Sequence, residues 1–391
     1  MARKGRQLLQ MKEMAFGRAL GRRDFIAGGA AALGAWFSGC SDVGARRRSY
    51  SVAVLGDTHF DSPDVKFYHA DYTHSTTEKR YKGHLKEHVR NAAMWSERMP
   101  SLVRASAACV RDDTAFALQM GDLVQGDCGK RETHARMLKD AFGFIKGAYG
   151  GKLPLVTVVG NHDIRGDIEG DGAREAFEAW QPEVVSRELG IAAKGTTFSF
   201  RQGPDAFIVV DFNEPCPDMA VLRRLIRESE DARYLFLVTH GPAIPHSEGR
   251  WFLLGKKGRD DERRELRSLL ARRNAIVLAG HTHVTELCDC ELPEGRITQF
   301  VFNSVWSKPG LAEPTVVAKG ADGFGGRAPE SERHGDKAEQ PSLVAEYRPF
   351  VRDFLLAKAA GHYRLEVSDA HVDVVFYGGD STVPTSTFRL R

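Results

Sequence analysis

Between Tyr50 and Ser304 the chain passes through seven short apolar runs, and five of them stop abruptly on carboxylate, amide or imidazole side chains. The runs read YSVAVLGD, AFALQMGD, LPLVTVVGN, DAFIVVDF, RYLFLVTH, NAIVLAGH and ITQFVFNS. Each is short and rich in Val, Ile, Leu or Phe, the pattern of a strand buried on both faces. Stretches with helical spacing separate several of them, such as EHVRNAAMWSERMPSLVRASAACV and RDDERRELRSLLARR. Alternation of this kind predicts a layered α/β fold. Residues 196–212 read as a hairpin turned at Gly203-Pro204, and HYRLEVSDAHVDVVFYGG as a second hairpin.

The run endings carry the chemistry. They present Asp57 and His59 in GDTH, Asp122 in GDLVQGD, and Asn161, His162 and Asp163 in GNHD. Later runs add His240 in VTHGP and His281 and His283 in GHTH. In α/β sheets ligands gather beyond the carboxyl ends of strands, so residues far apart in sequence can converge. Carboxylates, neutral imidazoles and an amide oxygen make a nitrogen and oxygen site suited to Mn, Fe, Zn or Ni. One carboxylate shared by two cations holds them ~3.5–4 Å apart, a spacing suited to in-line displacement at phosphorus.

The order Asp-x-His, Gly-Asp, Gly-Asn-His, a lone His and Gly-His-x-His resembles the calcineurin-like metallophosphoesterase family, over roughly residues 51–306. The resemblance implies two packed mixed β-sheets flanked by helices, a four-layer α/β/β/α sandwich. It implies two divalent or trivalent ions, with Asp57, His59 and His283 on one, Asn161, His240 and His281 on the other, and Asp122 bridging. A hydroxide between the ions would attack phosphorus in line, with His162 facing the leaving group as its proton or hydrogen-bond donor. Asp163 either accepts from the other ring nitrogen of His162 or serves as a turn or cap residue. Purple acid phosphatases place a ligand tyrosine three residues after the second-block Asp; Gln125 stands there, which disfavours that subclass. Gln125 and Asp127 are candidates for a supporting role.

The resemblance implies a phosphoester hydrolase acting on a phosphorylated small molecule or ester, with monoester, diester and pyrophosphate substrates all open. Two rivals are a non-catalytic metal-binding scaffold and a nuclease-type phosphodiesterase. The scaffold reading expects loss of His162 or of several ligands, and all are retained. The net charge of +3 conceals an uneven distribution. Residues 1–48 hold ten basic and three acidic side chains, leaving a slightly acidic body without the basic stripe of a nucleic-acid groove.

That basic N-terminus reads as an address. GRRDFIAGGAAALGAWFSGC places Arg22 and Arg23 before an apolar stretch from Phe25 to Phe37, which resembles a twin-arginine export signal. Its 13 residues fall short of the ~20 needed to span a bilayer. FSGC resembles a lipoprotein cleavage site with Cys40 as the lipidated residue. The expectation is a chain handled by export machinery and held at the bacterial cell envelope by a lipid anchor rather than a spanning helix. The reading divides the chain into a signal (1–39), a tether (40–50), the metallophosphoesterase domain (51–310), a polar insertion, exposed or disordered (311–345), and a C-terminal segment completing that domain (346–391).

Loops outside the blocks are harder to read. The histidine-rich stretch 69–88 is either a lid supplying a histidine or Arg80 to phosphate, or a solvated surface insertion; no motif supports a lid, so the surface reading is favoured. Arg165, close after His162, is a candidate electropositive contact, and His246 and Trp251 are candidates for lining the cleft. Besides Cys40 there are five cysteines, an odd number that cannot all pair internally.

Overall fold

The apolar runs are the strands of two stacked sheets in the computed structural model, which describes residues 48–72, 78–166, 172–245, 252–256, 258–325 and 340–391. Strands β1 (Tyr50–Leu55), β2 (Thr114–Gln119) and β3 (Leu155–Thr157) lie parallel in the first sheet. The chain then builds the second sheet from β4 (Phe198–Gln202), β5 (Asp205–Val210), β6 (Leu235–Thr239), β7 (Ile276–Ala279), β8 (Thr285–Leu292), β9 (Gly295–Val301), β10 (Thr315–Lys319) and β11 (Val351–Lys358). It returns to the first sheet with β12 (Gly361–Val367), β13 (Val372–Gly378) and β14 (Ser386–Arg389). The strand orders are β14-β13-β12-β1-β2-β3 and β10-β11-β8-β9-β7-β6-β5-β4. Both sheets are mixed: β5, β6, β7 and β9 run parallel in the second, while β12 runs antiparallel to β1 in the first.

Val52, Phe116, Phe207, Phe236, Phe300 and Val374 fill the space between the sheets. Helices α1 (Lys66–His69), α2 (Glu78–Glu97), α3 (Met99–Ala108), α4 (Arg131–Ala148) and α5 (Ala173–Leu189) flank the first sheet. The second is flanked by α6 (Met219–Arg227), α7 (Asp260–Arg272) and α8 (Gln340–Tyr347). Helix α4 shows why: Met137, Leu138, Ala141, Phe142 and Ile145 recur at helical spacing and are all buried. At the start of α6, Asp218 accepts the Ala220 N–H at 2.7 Å, satisfying one of the first-turn donors. These four layers are the α/β/β/α sandwich expected from the sequence.

Both expected hairpins form. Gln202 pairs with Asp205 across Gly203-Pro204, and β12 pairs with β13 from Gly361↔Gly378 to Val367↔Val372. The polar stretch 311–345 differs from its reading as an insertion. Residues 315–319 form β10, the edge strand paired to β11, and α8 begins at Gln340. Its residues, TVVAK, are a short apolar run with Val316 and Val317 exposed, set beside the polar, Gly-rich residues that follow. Residues 326–339 lie outside the described residues, as do the leader with Cys40, and His246 and Trp251. Among the described residues no helix is long and apolar enough to cross a membrane.

Candidate metal centre

The carboxyl ends of β1, β2 and β3 in one sheet meet those of β6 and β7 in the other. Thr58 and His59 donate their N–H groups to the Asp122 carbonyl at 3.1 and 2.8 Å, and Gly280 donates to the His240 carbonyl at 2.9 Å. These bonds stitch the strand ends together in pairs. His59, Asp122, His281 and His283 have φ of 42°, 49°, 73° and 52°, a left-handed backbone that non-glycine residues rarely adopt. Strain of this kind collects where surrounding structure fixes functional side chains. Gly160 serves close approach: a Cβ there would overlap the backbone nitrogen and carboxylate of Asp122.

Two donor groups form and share Asp122: Asp57, His59, Asp122 and His283, and Asp122, His240 and His281. In each group, one ligand atom per residue lies within 4.8 Å of all the others. His283 Nε2 is 3.1 Å from Asp57 Oδ2, and His240 Nε2 is 3.2 Å from Asp122 Oδ2. His281 Nδ1 stands 3.2 Å from His240 Nε2. The Asn161 Oδ1 atom is buried without a hydrogen-bond partner among the described residues, a costly arrangement unless a cation takes it. Burial pushes His240 toward the neutral form, yet Asp122 and Asp57 outweigh it and raise its pKa to about 10, so these carboxylates call for positive charge. His240 Nδ1 bonds the Met120 carbonyl at 2.8 Å, which leaves Nε2 facing Asp122. The donor set therefore fits a pair of ions, and its carboxylates and imidazoles divide between the two groups as the family resemblance implies.

His162 stands beside this centre, its ring centroid 4.5 Å from that of His59. Its backbone N–H donates to Asp122 Oδ1 at 2.7 Å. Its Nδ1 lies 2.9 Å from the Gln125 carbonyl and its Nε2 3.2 Å from Arg165 Nη1. A carbonyl only accepts and a guanidinium only donates, so the ring is the neutral Nδ1–H tautomer. Asp163 does not touch that ring. Its oxygens accept from Val124 N at 3.1 Å and Gly160 N at 2.8 Å, so it is the turn residue and not the orienter. Burial, followed by the nearby Asp122 charge, raises its pKa to about 7.

In the histidine-rich stretch, two of the described histidines are built into the protein interior, while His74 lies outside the described residues. His69 and His88 are buried and stacked, with centroids 3.8 Å apart. His69 Nε2 meets Asp61 at 3.0 Å, and His88 Nε2 meets Asp127 Oδ2 at 3.0 Å. Helix α2 presents His84, Glu87, His88, Asn91 and Trp95 at helical spacing toward the site loops. Asn91 bonds Gln125, and the Trp95 indole donates to the carbonyls of Thr58 and His59, both at 2.9 Å. The stretch shows the sequence pattern of a helix only from Glu87 on, because residues 78–86 are dominated by charged and polar side chains. Its one legible signal is the spacing of His84, His88 and Trp95. The Arg80 side chain lies outside the described residues.

Residues 50–285, more than half of the chain, match the family model described as calcineurin-like phosphoesterase. No curated protein sequence matches the chain. Among solved structures its fold resembles that of PhoD, with TM-score 0.50 and 10% identity, covering 88% of this chain and 69% of that one. For GAP50 of Plasmodium the TM-score is 0.45 at 13% identity, covering 88% of this chain and 89% of that one. For purple acid phosphatase PPD1 from yellow lupin seeds it is 0.49 at 11% identity, covering 87% of this chain and 53% of that one. Ligand order, sheet topology and the shared Asp122 agree with the family match, and the chain belongs to the calcineurin-like phosphoesterases, hydrolases of phosphoester bonds.

Proposed function

We propose that this chain hydrolyses phosphoester bonds using two metal ions, one held by Asp57, His59, Asp122 and His283, the other by Asp122, Asn161, His240 and His281. The single observation that carries the reading is the membership of Asp122 in both donor groups. When bound, such a pair neutralises phosphate oxygens and acidifies water enough to supply a nucleophile near neutral pH. The chain's own residues supply the geometry. Asp57 accepts the His281 N–H at 3.1 Å, so a ligand from the first sheet braces a ligand loop from the second. Asp122 takes the His162 N–H and so fixes the imidazole relative to the centre. The leaving group departs on the side of His162.

The leader supports a location. Arg22, Arg23 and Cys40 suit a chain exported across the bacterial cytoplasmic membrane and anchored there by one lipidated cysteine. An uncleaved, cytoplasmic product in cells with a working twin-arginine pathway counts against this.

The functional test assays the purified chain on a phosphomonoester, a phosphodiester and a pyrophosphate, with and without chelator, alongside metal analysis. Turnover of at least one substrate, lost on chelation and restored by metal, is expected. Full activity after chelation, or in Asp122→Asn, overturns the two-ion reading.

A further inference from the structure

Among the described residues, Arg165 brings a positive side chain against His162. Arg165 lies three residues after His162 and places Nη1 3.2 Å from His162 Nε2. The rest of its guanidinium is fixed from behind. Nε donates to Asp127 Oδ1 at 2.7 Å, and Nη2 donates to Asp127 Oδ2 at 2.6 Å and to Glu87 Oε2 at 2.9 Å. Of the five guanidinium hydrogens, these bonds use three and His162 uses a fourth. The fifth, on Nη1, has no acceptor among the described residues. This paired fork is rigid, so the free donor stays beside His162 at little entropic cost.

The support for Arg165 is itself heavily built. Asp127 is fully buried with φ of 55°, the same left-handed backbone as four metal ligands. It also accepts from His88 Nε2 at 3.0 Å and Gln125 Nε2 at 3.2 Å. Its own N–H donates to the Arg165 carbonyl at 2.7 Å, and Cys128 bridges Gly166 in parallel, so the second- and third-block loops are stitched together. Gly126, with φ of 71°, permits that contact: a Cβ there would overlap the His162 carbonyl. Helix α2 contributes the part-exposed Glu87 and the buried His88 to this support.

We propose that Arg165 is a catalytic residue that donates to the leaving-group oxygen, and that Asp127 and Glu87 are the positioning residues that hold it there. The proposal rests on the functional reading above. In the hydrolysis it serves, a water oxygen forms the new P–O bond and the ester P–O bond breaks. The electron pair stays on the leaving oxygen, which takes a proton from solvent while the attacking water gives one up. Arg165 meets the negative charge on that oxygen before the proton arrives, where His162 in its Nδ1–H tautomer offers only a lone pair. Preorganised donors aimed at developing charge are worth ~10²–10³ in rate.

The test compares p-nitrophenyl and phenyl phosphate, and bis(p-nitrophenyl) and diphenyl phosphate, using whichever ester class the wild-type chain hydrolyses. Phenol has a pKa near the tyrosine value of ~10 and needs far more help to leave than p-nitrophenol. Arg165→Gln is expected to lower kcat ~10²-fold on the phenyl ester and less than ~10-fold on the p-nitrophenyl ester. Asp127→Asn and Glu87→Gln are expected to shift the same ratio in the same direction by smaller factors, with metal content unchanged. Glu87 is part-exposed, so its variant reads positioning without opening the core. Equal losses on both esters, or an unchanged ratio in all three variants, overturn the proposal while leaving the functional reading intact. A metal-loaded wild-type chain that hydrolyses neither ester class nor a pyrophosphate overturns both, and one that hydrolyses a pyrophosphate alone overturns this proposal only.

Discussion

His59 and His283 are 224 positions apart in the chain, yet their Nε2 atoms face each other at 3.0 Å. Asp57 lies 3.1 Å from the second ring and Asp122 3.6 Å from the first. Ligand binding to the folded state alone stabilises it, by about 2.7 kcal/mol at a concentration 100 times Kd. Adding Mn²⁺ or Zn²⁺ to the metal-free chain is therefore expected to raise the melting temperature by several degrees, and a chelator to reverse it. His283→Ala is expected to lower the bound metal from two ions per chain toward one. A melt indifferent to metal contradicts the assignment.

Gly160 and Gly143 provide a contrast between two glycines of different surroundings. A Cβ at Gly160 meets Asp122, whereas one at Gly143, inside α4, meets nothing within 4 Å. Gly160→Ala is expected to cost about 1–3 kcal/mol and to lower metal affinity by displacing Asp122. Gly143→Ala is expected to stabilise the chain by about 0.5–1 kcal/mol. Urea denaturation and metal analysis of both variants check this.

Asp163 and His162 are neighbours with separable roles. Asp163→Ala leaves the buried N–H groups of Gly160 and Val124 without acceptors, at about 1–3 kcal/mol each. The bond from His162 to the Gln125 carbonyl survives. Stability is therefore expected to fall while the ratio of phenyl to p-nitrophenyl turnover holds. A ratio that changes as it does in Arg165→Gln points back to Asp163 as an orienter of His162.

His362 links stability to pH. Its ring stacks on Tyr377 and Nε2 donates to the Ser381 carbonyl at 2.8 Å, while the buried Nδ1 has no partner among the described residues. Burial lowers its pKa from 6.5 to about 4. Between those values the unfolded chain binds a proton that the folded chain refuses, so its contribution is full above 6.5 and is lost as pH falls toward 4. At pH 5 the loss is about 2 kcal/mol. His362→Gln, which keeps a donor and removes the titration, is expected to show a shallower decline in stability from pH 7.5 to 5.

The metal ligands are legible in the sequence because each sits at the end of an apolar run, where strand and ligand are adjacent. Asn161 can be recognised beside Gly160, and its separation from His162 in function follows from the block in which both occur. Helix α2 was harder. Its buried residues include His88 and Asn91 beside Ala92, Met94 and Trp95, and the two polar ones are favourable to bury only with partners from other loops. The edge strand β10 is a five-residue apolar run, TVVAK, that the polar, Gly-rich stretch around it obscures.

By itself the sequence determined the layered α/β class, which follows from its apolar runs, and through the family resemblance of the blocks ending them it named Asp57, His59, Asp122, Asn161, His240, His281 and His283 as candidate ligands. Only the tertiary structure decided that Asp163 braces the backbone while Arg165, gripped by Asp127 and Glu87, reaches His162. Hydrogen-bond partners are chosen among groups from separate loops, and that choice is made when the loops pack.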